Sequence, residues 1–418
     1  MFNTLRNAWK IPDLRYKMLF TLAMLVVFRL GSFIPVPGMN TDALAQLIES
    51  GGMLGFFDVI SGGAFKNFAI FAMNITPYIN ASIIMQLLTI AIPSLEAIAK
   101  EGEEGRKKIA QYVRYLTVVL ALIQAIALSI GLKGYLISQD FLTMALVAVT
   151  LTAGTAFLMW LGEMITEKGI GNGISIIIFA GIVSRIPLGV VKLYQLYQAK
   201  TTNIFELILF AVFAIAIIAA VVLIQEGQRR IPVQYAKRVV GRKMYGGQST
   251  HIPLKVNQAG VIPVIFALSI IEFPKQIVSF FPGTPTYDFF MKWFAWGTWI
   301  HAILYAFMII GFTYFYTAVT FNPIEVANNI KKYGGFIPGI RPGKPTSDFI
   351  QRSLGRITLV GGFFLAAIAI VPIILMSFTG IQLYFGSTSL LIVVGVAMDT
   401  VKQIEAQMVM RNYQGFLK

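Results

Sequence analysis

The chain has 418 residues, of which 56% are hydrophobic and only 13% are charged, and its formal net charge is +15. This composition is far from that of a soluble domain and is typical of a polytopic membrane protein. The absence of cysteine excludes disulfides and thiolate metal sites.

Apolar runs of about 20 residues, the length that a helix needs to cross the hydrocarbon core, recur along the chain. We expect the first run to be a retained helix and not a removed signal peptide, because it is long and lacks a small-residue cleavage site. The expected fold class is an all-α polytopic membrane protein with ten transmembrane helices. The predicted spans are 18–36, 73–93, 113–132, 141–162, 172–188, 204–225, 258–274, 297–320, 357–377 and 388–401.

The connections between these spans differ in charge. Alternate connections, with the span ends beside them, hold 26 of the 34 Lys and Arg residues on one side and 7 on the other, and Arg29 lies well inside a span. Cytoplasmic loops retain Lys and Arg, so the basic side is predicted to be cytosolic and both termini to be inside. Arg29 is expected to face protein or a water cavity, because an arginine at a helix centre costs about 2.5–3.5 kcal/mol on insertion scales.

The second span begins with polar residues. Its first turn contains Asn74, Thr76, Pro77 and Asn80. The stretch before it, LGFFDVISGGAFKNFAIFA, is amphipathic, interrupted by glycine and too polar to span the membrane comfortably. This pattern predicts a half-helix that stops partway.

Two basic connections, 226–257 and 321–352, are longer than a simple connection requires. The first contains a strand-like IPVQYAK, a basic turn and a second extended piece, and the second is rich in Gly and Pro. Passive solvated loops would explain the sign of the charge. Docking onto RNA phosphates or an acidic protein surface would also explain the length.

Motifs for nucleotide, metal and acid–base chemistry are missing from the sequence. PGIRPGKPT lacks the P-loop spacing, because Pro338 stands five residues before Gly343 and Pro345 follows Lys344. GIGNGIS at 169–175 lacks the spacing of a dinucleotide fingerprint and favours a tight turn that starts a span. No carboxylates or histidines within the spans have metal or acid–base spacing. We therefore expect no enzyme activity, no metal and no cofactor.

Isoleucines occupy comparable positions at midplane depth in several predicted spans. They are Ile75, Ile79, Ile174, Ile178, Ile265 and Ile392. The first two pairs are each spaced by four residues, so each pair shares one helix face. Such stripes normally face lipid or pack against other helices, and spacing alone does not separate this interpretation from a pore lining.

The order of motifs resembles the SecY family of bacterial protein-translocation channels over essentially the whole chain. The matching stretches include FRLGSFIPVPG, FDVISGGAF, NITPYINASII, KEGEEGRKKIAQYVRY, GTAFLMWLGEMITEKGIGNGISIIIFAGIV, QRRIPVQYAKRVVGR, GGFIPGIRPGKPT and TSLLIVVGVAMD. The resemblance implies two inverted, pseudo-symmetric halves, 1–188 and 204–418, around an hourglass pore, with an external hinge connection at 189–203.

The resemblance also implies a function and its main parts. The channel would pass unfolded secretory polypeptides across the bacterial plasma membrane and release membrane segments laterally. The six isoleucines match the apolar waist of the family's pore, which excludes water yet yields to any polypeptide. Residues 54–67 match the plug, which would break from the span at its glycines, and the polar residues 74–80 would line a water-filled funnel. The plug residues singled out are Phe57, Asp58, Ser61, Gly62 and Gly63.

Two further sites follow from the same resemblance. Polar residues occupy the positions where the family's lateral gate has polar residues. A hydrogen bond between them would hold the gate shut. The alternative is an ordinary interhelical hydrogen bond worth roughly 0.6 kcal/mol. They are Gln86, Gln124 and Asn257. The loops 226–257 and 321–356 match docking sites for the ribosome and the SecA motor ATPase. Their matching basic residues are Arg229, Arg230, Lys237 and Arg341.

The implied partners are the membrane subunits SecE and SecG, SecA, the ribosome with its RNA and proteins, signal-bearing unfolded polypeptides and membrane lipids. A secondary transporter for a small solute would also fit ten spans in inverted halves, but translocation of a signal-bearing protein would exclude it. A membrane scaffold that only recruits ribosomes would show docking without conductance when the plug is removed.

Overall fold

The computed structural model describes residues 2–41, 44, 58, 61–199, 203–235, 238–240, 243–245, 249–278, 284–294, 298–379 and 387–415. Most of these residues are helical. The α-helices are α1 (Phe2–Trp9), α2 (Pro12–Gly31), α3 (Thr76–Ala91), α4 (Pro93–Lys100), α5 (Glu103–Gly131), α6 (Phe141–Lys168), α7 (Gly173–Gln198), α8 (Ile204–Glu226), α9 (Ile262–Val278), α10 (Pro285–Trp293), α11 (Trp299–Thr320), α12 (Pro323–Lys332), α13 (Lys344–Thr379) and α14 (Ser387–Gly415). The strands are β1 (Gln228–Tyr235), β2 (Arg238–Val240), β3 (Lys243–Tyr245), β4 (Ser249–Lys255) and β5 (Gly335–Phe336).

Each of the ten predicted spans falls on one of these helices. Within the described residues, α5, α6, α7, α8, α11 and α13 are long and apolar enough to cross a membrane, and α3 with α4 makes a seventh span if a bend of 101° is allowed. A shorter apolar helix covers Ile262–Glu272. The helical, multi-pass fold is confirmed. Length and composition do not identify α2 and α14 as spans, because both carry charged residues along part of their length.

The helices pack into two groups. In the first group α2, α3, α5, α6 and α7 contact one another, with Leu151 and Leu161 in their buried cores. In the second group α8, α9, α11, α13 and α14 share a core that contains Tyr305 and Ile309. The groups meet where α3 contacts α9 and where α7 contacts α14.

The two long basic loops form one unit. β1 pairs antiparallel with β4, which confirms the predicted hairpin, and the other edge of β1 pairs with β5 from the second loop. Ile231 and Val233 on β1 and Leu254 on β4 face a shared core with Ile330 and Ile350. The intervening residues of β1 are exposed, as the period of two in a strand requires.

The expected half-helix before α3 holds at Asp58, which is helical, but not over the described residues that follow it. Residues 61–67, named here the turn segment, form consecutive turns and no helix. Gly62 has φ of +66° and Gly63 has φ of +93°, a left-handed conformation that glycine adopts without steric cost and that ends a right-handed helix. Residues 54–57, 59 and 60 of the expected half-helix lie outside the described residues.

Candidate functional site

The structure brings all six predicted isoleucines, named here the isoleucine ring, into one apolar cluster. Ile75, Ile178 and Ile392 are buried in it, and the other three are partly buried against it. They come from the start of α3 and from α7, α9 and α14, so both helix groups contribute. Isoleucine side chains offer water no hydrogen bond, so a narrow constriction lined by them would close by dewetting.

Glycines set the approach of α7 to this cluster. Gly171 has φ of +83°, and Asn172 caps α7 by accepting a hydrogen bond from the Ser175 N–H at 3.2 Å. The Gly173 N–H donates to Thr166 Oγ1 on α6 at 2.9 Å. The stretch GIGNGIS is therefore a tight turn that starts a helix, as predicted, and it brings Ile174 against α6.

The turn segment lies against the isoleucine ring. Ala64 belongs to the same buried cluster as Ile75 and Ile178, and Ser61 is buried as well. The Ser61 hydroxyl donates to the Asp58 carbonyl at 3.1 Å, and the Phe65 N–H donates to Ser61 Oγ at 3.1 Å. The segment is thus an ordered contact of the ring. The predicted plug residue Phe57 lies outside the described residues.

Charged side chains hold this segment to two helices. Arg29 of α2 donates to the Gly62 carbonyl and, at 3.2 Å, to Ser184 Oγ of α7, and its guanidinium lies 4.7 Å from the centre of the Phe33 ring. The prediction that Arg29 faces protein is confirmed. Asp58 forms an ion pair with Arg185 of α7.

The polar start of α3 faces protein. Asn74 and Asn80 are both buried, so the expectation that they line a water-filled funnel does not hold for the conformation described. Asn74 has φ of +51°, a conformation that asparagine tolerates better than most residues. Polar groups at membrane depth are equally acceptable where protein surrounds them.

The three predicted gate residues lie on α3, α5 and just before α9. Gln86 is half-buried, whereas Gln124 and Asn257 are buried. Helix α3 does contact α9, as a gate between these spans requires. Within the described residues, however, Gln124 Nε2 and both amide atoms of Asn257 have no hydrogen-bond partner. The structure therefore does not contain the expected hydrogen bond between gate residues in its described part.

Three of the four predicted docking residues are exposed on the unit made by the two basic loops. Arg229 and Arg230 lie at the start of β1, and Arg341 follows β5. The Arg341 carbonyl accepts a hydrogen bond from Thr346 Oγ1 at 2.9 Å, which fixes the turn before α13. Lys237 lies outside the described residues.

Two features of the site were not predicted. The Asp58–Arg185 ion pair joins residues more than 120 positions apart, and a lone acidic residue in an amphipathic stretch gives no signal of its partner. The β1–β5 pairing joins the two basic loops through a strand of only two residues. The one signal in the sequence was the short GGF stretch between a basic helix end and a proline-rich turn.

The chain is similar over its full length to known translocation proteins. A family model described as SecY matches residues 69–401. Protein translocase subunit SecY of Halalkalibacterium halodurans is 51% identical over 431 residues, covering 100% of both chains. The protein of the same name from Thermotoga maritima is 44% identical, covering 100% of this chain and 98% of its own.

Solved structures share the fold at low sequence identity. A protein conducting channel matches with a TM-score of 0.70 and 21% identity, covering 94% of this chain and 93% of its own. A structure on the SecY plug domain, described as stabilising the closed state and maintaining a membrane seal, matches with a TM-score of 0.69 and 22% identity, covering 94% and 92%. Sec61 in a canine ribosome–channel complex matches with a TM-score of 0.65 and 19% identity, covering 94% and 93%.

Proposed function

The chain belongs to the SecY family, and on that premise we propose that it seals its pore with the isoleucine ring and with a plug formed by residues 54–67. The chain is a protein-translocation channel and not an enzyme. The observation that carries the proposal is the meeting of six isoleucines from both helix groups in one cluster, with the turn segment packed on it. An apolar neck excludes water at rest but binds no particular sequence, which suits a substrate defined only by being unfolded.

The channel would open between two halves, 1–188 and 204–418, linked by the external connection 189–203. The packing of the helices into two groups supports this division. The lateral gate would lie where α3 meets α9, with Gln86, Gln124 and Asn257 beside it. A buried amide without a partner costs about 1–3 kcal/mol. Water or a polar group of the substrate would satisfy these amides once the helices part, so their burial favours opening.

The unit made by the two basic loops would be the docking surface. Its exposed Arg229, Arg230 and Arg341 suit RNA phosphates or an acidic protein surface. We expect the ribosome and SecA to bind here, and SecE and SecG to pack against the membrane-spanning helices. The similarity of the fold to Sec61 in a ribosome–channel complex supports the ribosome as a partner. The membrane would be the bacterial plasma membrane, with both termini cytoplasmic, as the distribution of basic residues predicts.

Deleting residues 54–67 tests the proposal. The variant is reconstituted with SecE in liposomes and planar bilayers, and SecA is added to drive export. We expect a folded, inserted protein with a raised ion leak and a reduced demand for a strongly hydrophobic signal, because the closed state loses its seal. Leak current and protease-protected client are measured in the same preparation. A tight membrane together with unimproved export of a client with a defective signal would refute the plug assignment.

A further inference from the structure

A buried ion pair ties residue 58 to α7. Asp58 is 4% exposed, and its Oδ2 pairs with Nη2 of Arg185, whose side chain is 16% exposed. The other carboxylate oxygen, Oδ1, accepts a hydrogen bond from the Lys66 N–H at 2.7 Å. One carboxylate therefore connects α7 to Lys66, near the C-terminal end of the turn segment.

The backbone of the turn segment lies directly on the same stretch of α7. A Cβ added at Gly62 would lie 3.0 Å from Gly181 Cα and from Ser184 Oγ. A Cβ added at Gly63 would lie 3.5 Å from Arg185 Cζ. Glycine at these two positions allows the close approach that puts Asp58 within reach of Arg185.

The energetics of a buried ion pair suit a contact that must hold and then release. Removing one partner leaves an uncompensated charge in a poorly hydrated site, which is strongly unfavourable. Separating both partners into water restores their hydration and offsets part of the lost attraction, so the intact pair stabilises the closed state only modestly. A pore filled by water and a polypeptide offers Asp58 and Arg185 that hydration.

We propose that the Asp58–Arg185 ion pair is the latch that holds the turn segment closed and thereby sets how apolar a signal segment must be to open the channel. This inference rests on the proposed assignment of residues 54–67 as the plug. A signal segment shifts the closed–open equilibrium only by its differential affinity for the open state. Any contact made only in the closed state therefore raises the affinity that a signal must supply.

The latch predicts an unusual pattern in a double-mutant cycle. Asp58→Asn leaves Arg185 partly buried without its carboxylate partner, and Arg185→Gln leaves Asp58 buried without its guanidinium partner. We expect each single variant to raise the open fraction of the channel about tenfold or more, since each removes one partner of a buried pair. The double variant buries no charge at this pair, so it should leak less than either single variant.

The experiment measures leak conductance in planar bilayers and export of a client with a weakened signal, using the full chain with its membrane subunits. Arg185→Lys, which keeps the charge, should retain most of the seal. Arg114→Gln is the matched control, because it breaks an ion pair of 2.7 Å to Glu163 between α5 and α6, far along the chain from the turn segment. Thermal unfolding of every variant separates leak from misfolding.

Two outcomes would overturn the latch. The first is a leak conductance in both single variants that equals that of the unmodified channel. The second is a leak conductance in the double variant that equals the sum of those of the two single variants. The deletion of residues 54–67 is measured in parallel. If the deletion variant leaks ions and the single variants do not, the latch is refuted and the plug assignment is not. If the deletion variant does not leak ions, both the plug assignment and the latch are refuted.

Discussion

Ile174 of the isoleucine ring lies directly against Gly162 of α6: a Cβ added at residue 162 would be 2.5 Å from Ile174 Cδ1. Gly173 continues this approach, because a Cβ there would lie 1.9 Å from the Gly162 carbonyl oxygen. Because glycine has no side chain, Gly162 on α6 and Gly173 at the start of α7 allow this close packing. They thus determine where this part of the ring lies.

Gly162→Ala should therefore disturb the ring. The added methyl group forces the end of the Ile174 side chain to move, and overpacking of this kind typically costs about 1–3 kcal/mol. We expect a lower unfolding temperature and brief spontaneous openings in single-channel recordings. Gly311→Ala on α11 is the control, since nothing lies within 4 Å of its added Cβ. Equal stability and equal leak in the two variants would contradict this account of the ring.

Polar substitution of the ring should open it to water. Ile79→Ser or Ile265→Asn places a hydrogen-bonding group in a constriction that closes by dewetting. Single-channel recording should show spontaneous openings without any substrate. Ile271→Asn is the control on the same helix as Ile265, because Ile271 is buried in the core of the second helix group and not in the ring. If conductance stays at background in the ring variants, these isoleucines do not form the neck.

Charge reversal at the turn after β5 should weaken the motor but not the membrane domain. Arg341 is exposed, so Arg341→Glu should reduce SecA-driven translocation while membrane insertion and SecE pairing stay unchanged. The measurement is SecA-stimulated export into liposomes. Lys292→Glu on α10 is the control, because this exposed residue belongs to a connection predicted to lie on the opposite side of the membrane. Full stimulation in Arg341→Glu would assign this turn to a passive loop.

Reversing Arg229 and Arg230 to Glu should lower the affinity for ribosomes most strongly at low salt. Arginines that bind phosphates release counterions, so their removal should also make the slope of log affinity against log salt shallower, by about one unit for each phosphate that is no longer bound. Co-sedimentation with empty ribosomes across a salt series measures both quantities. A parallel shift with an unchanged slope would mean that these arginines do not bind phosphate.

Local patterns allowed most helices to be predicted, because the length of an apolar run and the charge of its flanks are properties of neighbouring residues. The hairpin of β1 and β4 was predictable for the same reason, from the alternation in IPVQYAK. The break at Gly62 and Gly63 was predicted, but turns over the whole of 61–67 were not, since an amphipathic stretch suggests a helix that continues past these glycines.

The contacts of the site were less predictable than its elements. One partner of Arg29 is the backbone carbonyl of Gly62, and every residue supplies such a group, so no side-chain pattern indicates it. Asn74 and Asn80 were expected to face water because they are polar, but tertiary packing buries them. The joining of the two basic loops depends on a strand pair between distant segments, which loop composition does not encode.

The β1–β5 pairing has a mechanical consequence. The strands that it joins emerge from α8 and α9 and from the stretch between α11 and α13, which all belong to the second helix group. A large partner bound to this sheet would therefore hold the second helix group in place. The helix group that contains α2, α3 and α7 would still be able to move relative to it. The partner could then stay rigid while a polypeptide passes, because the surface that it binds and the helices that move lie on different halves of the same chain.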